Sequence, residues 1–166
     1  MSCIILDGKK VAKEIKDNLK KYIQEIIKDH PSLRLPKLTI YTDGLDEASK
    51  VYLKNKKKAC EEVGITCDII TVDTKDTRFG LDYSSDGVIL QLPIKNKEQE
   101  KHFLNWISSF MDVDGLSINN QGKLFQSINE LEDPYQISCT PKGIMRLPTN
   151  LLLLMMRTFL PSRSIL

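Results

Sequence analysis

Tyr52 and Lys56 are the first residues in the sequence whose types and spacing could act together on a ligand. They lie four positions apart in ASKVYLKNKKKACEEVG, residues 48–64, and in a helix this spacing puts two side chains side by side on one face. The phenol ring could stack on a planar ligand while the amine moves a proton. A lysine-rich helix also contains such a pair by chance, so the pair alone is more simply explained as surface decoration.

Two further segments carry polar groups at positions where α/β proteins bind ligands. Gln91 follows the apolar run VIL, and open α/β sheets bind ligands beyond the carboxyl ends of their strands. Asp112 and Asp114 belong to DVDG, which offers two carboxylates in a tight turn. Gln91 could instead only cap its strand, and DVDG could be a plain loop or a cation site. Calcium is not predicted, because no third acidic ligand lies at EF-hand spacing.

An α/β scaffold is needed to bring these residues together. Apolar periodicity predicts helices over 8–29, from an N-cap at Asp46 to a stop at Gly64, and over 97–110. Short β-branched or apolar runs predict strands over 37–42, 66–72 and 86–92. The alternation predicts an α/β fold: a three-layer domain with a mostly parallel sheet flanked by helices. Residues 73–85 lack helical periodicity and are predicted to form a loop.

Several packing details follow from the same patterns. The apolar stripe of 8–29 predicts a helix that packs on the sheet, and the stripe of 97–110, which ends at Phe110, predicts a second covering helix. His102 and Trp106 are predicted to pack rather than to act chemically. Turns are predicted through Gly115 and Gly122, and a last helix is predicted to begin after an N-cap at Thr140 and to end at Pro148.

Composition excludes several classes of protein. The 166 residues are 41% hydrophobic and 28% charged, which is typical of a single globular domain. The first 60 residues are basic, but their lysines lie opposite an apolar stripe, which favours a solvated face over nucleic-acid binding. The four cysteines form no CxxC or Cys/His pattern and follow no leader, which predicts reduced thiols, no metal site and a cytoplasmic protein. The apolar run at 151–156 is too short to cross a membrane.

The order of the motifs is more specific than any one of them. ASKVYLKNKKKACEEVGI, DGVILQLPI, DVDGLSINNQGKL and CTPKGI follow one another as in the amino-terminal domain of the bifunctional methylenetetrahydrofolate dehydrogenase/methenyltetrahydrofolate cyclohydrolase family. The opening ILDGKKVAKEI also resembles the start of that family, and the resemblance covers about Ile5 to Leu147. Three positions depart from the family pattern, where Lys95, Met111 and Ser138 replace Pro, Lys and Pro.

The resemblance implies a folate-binding catalytic domain over residues 1–147. Members of this family oxidise 5,10-methylenetetrahydrofolate with NADP, or in some members NAD, and hydrolyse the methenyl product to 10-formyltetrahydrofolate. It implies that Lys56 is the catalytic lysine and that Gln91 orients it through a hydrogen bond. By the same resemblance, Tyr52 stacks on the aromatic part of the folate and Asp114 recognises the N–H donors of the pterin. Backbone atoms from Leu90 to Leu92 complete the pterin pocket.

Residues 148–166 resemble nothing in the family. They read PTNLLLLMMRTFLPSRSIL, and the chain has no GxGxxG or Gly-Arg-Ser turn. NADP is therefore expected for the family, but no residues for it are identified here. Homodimers of the family use the domain that normally carries this turn, so dimerisation is not carried over. An alternative expectation is a truncated, non-catalytic remnant that binds folate or a partner chain.

Overall fold

The computed structural model describes residues 7–44, 46–73, 75, 80–126 and 137–147. The elements follow in the order α1 (Gly8–Asp29), β1 (Lys37–Thr42), α2 (Glu47–Val63), β2 (Thr66–Thr71), β3 (Gly87–Leu90), α3 (Lys97–Trp106), α4 (Ile118–Gln126) and α5 (139–147). The predicted tail, 148–166, and its boundary at Pro148 lie outside the described residues.

The three strands form a parallel sheet in the order β2-β1-β3. Ile40 in the central strand is in register with Ile69 on one side and Ile89 on the other. A short segment, residues 111–113, continues the sheet beyond β3: Val88 N donates to Met111 O at 2.7 Å, and Val113 N donates to Val88 O at 3.4 Å. Because β1 and β3 are parallel neighbours, their carboxyl ends lie side by side at one edge of the sheet.

Apolar side chains leave both faces of the sheet, because successive residues of a strand point in opposite directions. On one face, Tyr41 and Leu90 pack with Phe103 of α3. On the other face, Ile40 and Ile89 pack in a cluster with Leu53 of α2. The predicted three-layer α/β arrangement is confirmed.

The predicted ends of α1, β1 and α2 agree with the structure. The carboxylate of Asp46 accepts a hydrogen bond from Ser49 N at 2.7 Å, which satisfies an unpaired donor of the first turn of α2. Gly64 ends the helix with φ of +89°, a left-handed conformation that glycine adopts without a Cβ clash. These caps fix the two ends of α2, so Tyr52 and Lys56 lie inside the helix, one turn apart.

The predicted extent of α3 was wrong. The helix ends at Trp106 rather than Phe110, and Phe110 is 87% exposed. After Ile107, which is still buried, Ser108 O accepts hydrogen bonds from the backbone N of Met111 and Asp112. This turn delivers residues 111–113 to β3, so strand pairing replaces the last helical turn. The rings of His102 and Trp106 do pack, with centroids 5.3 Å apart.

Three smaller predictions also need correction. Gly122 lies inside α4, and Thr140 lies inside α5, which begins at residue 139. Helix α1 packs mainly against α2 rather than on the sheet, since α2 already covers that face. Ile23 of α1 is buried, whereas Ile15 of the same stripe is 47% exposed.

The segment predicted as a loop, 73–85, has neither helix nor strand in its described part, residues 73, 75 and 80–85. It is attached to the central strand: Asp82 N donates to Tyr41 Oη at 2.7 Å, and Thr39 Oγ1 and Ser85 Oγ lie 2.6 Å apart. Among the helices that the structure describes, none is long and apolar enough to cross a membrane.

Candidate functional site

Lys56 and Gln91 form a direct hydrogen bond at the carboxyl edge of the sheet. Lys56 Nζ, on α2, donates to Gln91 Oε1 at 2.9 Å. Gln91 is the first residue after β3, and Lys56 is half-buried. Leu53 of α2 packs in the core, so the helix is held with Lys56 directed toward the strand end. The structure thus brings together two residues that lie far apart in the sequence.

The orientation of the Gln91 side chain is determined by its partners. Gln91 Nε2 donates to Leu92 O at 3.0 Å, while Oε1 faces the amine of Lys56. An ammonium group only donates and a carbonyl oxygen only accepts, so the amide satisfies both partners in one orientation alone. The backbone is also fixed, because Gln91 N donates to Tyr41 O at 2.8 Å.

Tyr52 lies one helical turn before Lys56 and is 63% exposed. Its ring is therefore open to a ligand that approaches along α2. Leu90 is different, because its side chain is buried in the core on the α3 face. Leu92 is partly buried and packs against the same cluster. Of these two leucines, the backbone rather than the side chain is the part suited to contact a ligand.

The two carboxylates of DVDG differ sharply in their surroundings. Asp112 is 3% exposed, and its Oδ2 accepts hydrogen bonds from Ser117 N at 2.8 Å and Asn120 Nδ2 at 2.9 Å. Burial alone would raise the pKa of Asp112, but these hydrogen bonds and one from Leu116 N hold its pKa below the ordinary value. The hydrogen bonds of Asp112 therefore stabilise the start of α4. Asp114 is only partly buried, so it is the carboxylate of the two that is open to a ligand.

Cys139 is a site residue to which the sequence prediction gave no role. It lies at the start of α5, with the Asp114 carboxylate and the Lys56 amine near its thiol. Although the residue as a whole is exposed, loss of solvent around the thiol raises its pKa. The neighbouring Asp114 carboxylate raises it further, while the positive charge of Lys56 acts in the opposite direction. The signal was present in CTPKGI, a motif used only to recognise the family.

Five residues from four parts of the chain therefore lie around one edge of the sheet. Helix α2 contributes Tyr52 and Lys56, the end of β3 contributes Gln91, the DVDG turn contributes Asp114, and α5 contributes Cys139. A primary amine held by a neutral amide, next to a carboxylate and an exposed aromatic ring, can transfer a proton and bind a flat ligand that carries N–H donors.

A dinucleotide does not fit the helix N-termini of α1 to α4. Phosphates bind where backbone N–H groups at a helix start are free, but here a side chain of the protein already accepts from one or two of these groups in each helix. Asp7 caps α1, Asp46 caps α2 and Asn96 caps α3, while Asp112 and Ser117 serve α4. Two of the three N-caps are carboxylates, which repel phosphate.

The fold and site define an α/β domain with a lysine–amide pair at the carboxyl edge of a parallel sheet. Residues 6–114 match the family described as tetrahydrofolate dehydrogenase/cyclohydrolase, catalytic domain, and the chain belongs to this family. The match includes Tyr52, Lys56, Gln91 and Asp114, whereas Cys139 lies beyond it.

Individual relatives agree with this assignment. A bifunctional protein FolD of Mycoplasma mycoides subsp. mycoides is 36% identical over 153 residues, which cover 87% of this chain and 51% of that protein. A 5,10-methylenetetrahydrofolate dehydrogenase of the silkworm Bombyx mori superposes with a TM-score of 0.78 at 28% identity, over 92% of this chain and 53% of that one.

A methylenetetrahydrofolate dehydrogenase-cyclohydrolase of Trypanosoma brucei, complexed with NADP and an inhibitor, shares the fold. Its TM-score is 0.76 at 24% identity, over 90% of this chain and 52% of that one. The chain therefore spans about half the length of the relatives it matches.

Proposed function

We propose that this chain provides the folate site of one-carbon metabolism and hydrolyses 5,10-methenyltetrahydrofolate to 10-formyltetrahydrofolate. The observation that carries the proposal is the 2.9 Å hydrogen bond from Lys56 Nζ to Gln91 Oε1 at the carboxyl edge of the sheet. Membership of the tetrahydrofolate dehydrogenase/cyclohydrolase family supports both the substrate class and the cyclohydrolase reaction.

The hydrolysis needs one proton carrier. Water adds to the methenyl carbon and loses a proton, the bond from that carbon to one folate nitrogen breaks, and that nitrogen gains a proton. The added hydroxyl loses its remaining proton as it becomes the formyl carbonyl, so one proton is released overall. Lys56 is the group placed to accept the first proton and return the second. Gln91 holds the amine in one place through the hydrogen bond to its Oε1.

Recognition of the substrate is assigned to the groups around this pair. Tyr52 offers an exposed ring for stacking on the aromatic part of the folate. Asp114 is the acceptor for the amino and ring N–H donors of the pterin, and a site with such an acceptor rejects molecules that lack the donors. The backbone from Leu90 to Leu92 borders the same edge and completes the pocket.

The domain division and the cofactor are also proposals. We assign residues 1–147 to the folate-binding domain, because the family resemblance runs to about Leu147 and α5 brings Cys139 near Asp114. Residues 148–166 are assigned to a separate, non-family tail. NADP is the cofactor named for the T. brucei relative, but the capped helices do not offer it a phosphate site. Cys60, Cys67 and Cys139 are free thiols, which supports a cytoplasmic location.

The proposal is tested by hydrolysis of 5,10-methenyltetrahydrofolate without NADP. We expect the purified chain to accelerate hydrolysis and Lys56→Ala to lose about 100-fold or more of that rate, which is the usual scale of a proton-transfer group. Lys54→Ala is the matched control, since Lys54 is an exposed lysine on the same helix. Hydrolysis by the wild type no faster than by Lys56→Ala would show that this chain is not catalytic.

Binding is measured separately from turnover. A ligand that binds only the folded chain raises its stability, by about 2.7 kcal/mol at a ligand concentration of 100 times Kd. A folate analogue should therefore raise the unfolding temperature of both wild type and Lys56→Ala. Stabilisation without hydrolysis would favour the non-catalytic folate-binding remnant, and no stabilisation would count against any folate role.

A further inference from the structure

Asp43 is a buried carboxylate at the end of β1 to which the proposed folate site gives no role. The residue is 7% exposed, and its Oδ2 accepts a 2.8 Å hydrogen bond from Lys95 N. Lys95 belongs to residues 91–96, the connection between β3 and α3, which we call the Gln91 loop. The bond therefore ties the end of the central strand to the loop that carries Gln91.

The rest of the Gln91 loop is fixed on both sides of this bond. At its start, Gln91 N donates to Tyr41 O, and the side chain of Ile94 is buried in the core. At its end, Asn96 Oδ1 caps α3 by accepting from the backbone N of Glu98 and Gln99. The bond between Asp43 and Lys95 lies between these points and sets the path of the chain from Leu92 to Asn96.

The path of the loop matters because it sets the position of Leu92 O. That oxygen accepts from Gln91 Nε2, and this bond keeps Gln91 Oε1 directed at Lys56 Nζ. If the loop relaxes, Leu92 O moves and the Gln91 amide is free to rotate. The Lys56 amine then loses its fixed acceptor.

We propose that Asp43 is a positioning residue for the Lys56–Gln91 pair, acting through the backbone N–H of Lys95 and the carbonyl of Leu92. The part of the inference that concerns catalysis rests on the proposed function, whereas the positioning itself concerns only the folded chain. The side chain of Lys95 is exposed, so the proposed role of Lys95 depends on its backbone N–H. Proline, which the family pattern has at this position, has no N–H to give Asp43.

Two matched pairs of variants isolate the bond. Asp43→Ala removes the acceptor, while Asp43→Asn keeps an oxygen that can accept from Lys95 N. Lys95→Pro removes the donor, while Lys95→Ala removes the exposed side chain and keeps the N–H. We expect Asp43→Ala and Lys95→Pro to lower kcat for methenyltetrahydrofolate hydrolysis about tenfold, because misplacement of a catalytic group by a fraction of an ångström is costly.

The same two variants should raise KM for the folate by a smaller factor than they lower kcat, because Tyr52 and Asp114 lie on other segments and only the Leu92 part of the pocket is displaced. Asp43→Asn and Lys95→Ala should retain kcat within about threefold of the wild type. A residue that only stabilised the fold would lower the unfolding temperature in Asp43→Ala without this separation of kcat from KM.

The side-chain amide of Gln91 gives a readout that does not need activity. Its NH₂ resonances, assigned by NMR in the full chain, should shift in Asp43→Ala and Lys95→Pro and remain near their wild-type positions in Asp43→Asn and Lys95→Ala. Should the resonances respond in this way while the wild type shows no hydrolysis, the proposed function fails and the positioning role stands.

Unchanged Gln91 resonances in Asp43→Ala would overturn the inference. If Asp43→Ala does not fold, the decision passes to the position 95 pair, and equal spectra and equal kcat for Lys95→Pro and Lys95→Ala would overturn it as well. A loss of kcat in Asp43→Asn as large as in Asp43→Ala would also contradict it, since the acceptor oxygen is kept there.

Discussion

Gly87, the first residue of β3, lies so close to Val113 that a Cβ built on Gly87 would be 2.6 Å from Val113 Cγ1. The close approach exists because residues 111–113 pair with β3 through Val88. Asp114 comes directly after this paired segment. The missing side chain of Gly87 thus lets the DVDG turn lie beside β3, the strand that leads into Gln91.

Replacement of Gly87 by alanine should separate these two segments. The added methyl meets Val113, whose β-branched side chain has little freedom to move aside, and overpacking of this kind costs about 1–3 kcal/mol. We expect Gly87→Ala to lower the free energy of unfolding by that amount in urea titrations and to weaken binding of a folate analogue through displacement of Asp114.

The control for this prediction is the double variant Gly87→Ala/Val113→Ala. Removal of the Val113 methyls relieves the contact, so the double variant should be more stable than the sum of the two single changes predicts, by about 1 kcal/mol. Strict additivity of the two changes would contradict the steric explanation.

The hydrogen bond between Lys56 and Gln91 leads to a prediction about charge. Gln91→Ala removes the acceptor and should lower the hydrolysis rate about tenfold. Gln91→Glu keeps an acceptor but adds a negative charge, which would hold the proton on the lysine, so its rate should fall further. Rates are compared at saturating methenyltetrahydrofolate. A Gln91→Glu variant that is faster than Gln91→Ala would show that the neutrality of Gln91 is not needed.

Local patterns predicted those parts of the fold that local interactions decide. Asp46 and Gly64 marked the ends of α2 correctly because an N-cap oxygen and a left-handed glycine act within one turn of the helix. Phe110 was assigned to α3 because its spacing is helical. The helix ends earlier because residues 111–113 pair with β3, a long-range contact that a periodic pattern does not contain.

The residues of the candidate site also divide into those that local spacing predicts and those that depend on long-range contacts. Tyr52 and Lys56 were found as neighbours from their spacing on one helix, but the contact of Lys56 with Gln91 required the family resemblance. Cys139 was missed because its relation to Asp114 depends on how α5 packs, which no local spacing reports. Asp43 was missed for a related reason: its partner is a backbone N–H, which has no signature in the sequence.

Cys139 should react slowly with alkylating reagents at neutral pH. Burial and the neighbouring Asp114 raise the pKa of its thiol, and the thiolate is the reactive form. Asp114→Asn removes one of these causes, so the alkylation rate at pH 7 should rise by a factor of about 2–10. The rate is measured with iodoacetamide, and peptide mapping separates Cys139 from the other thiols. No increase in Asp114→Asn would contradict the contact.

Protection of the same thiol tests where the folate binds. A folate analogue that occupies the site next to Asp114 should reduce alkylation of Cys139 at least several-fold at saturation. Cys60 serves as the internal reference, since it is buried between α2 and β2 and burial raises its pKa to about 11. Equal rates at Cys139 with and without the analogue would place the ligand elsewhere.

Asp112 should make stability depend on pH in the acid range. Its pKa is lowered in the folded chain by hydrogen bonds from Asn120 and from the backbone of Ser117 and Leu116, which outweigh the effect of burial. The ionised carboxylate therefore contributes stability above the unfolded value of about 3.9, and this contribution is lost as the pH falls through the lower, folded pKa. Asp112→Asn has only one acceptor oxygen for the donors that the two carboxylate oxygens now serve.

Asp112→Asn should accordingly be less stable than the wild type by about 2 kcal/mol at pH 7, the scale of a buried hydrogen bond to a charged group. The difference should shrink as the pH falls below about 3.9, because the wild type then loses the same interaction. Urea unfolding at a series of pH values measures it, with exposed Asp17→Asn on α1 as the control. Other carboxylates that lose ion pairs in acid, such as Asp86 with Arg34, affect both proteins equally, so they cancel in the difference between wild type and variant. A difference that stays constant from pH 7 to pH 3 would show that Asp112 acts through shape rather than charge.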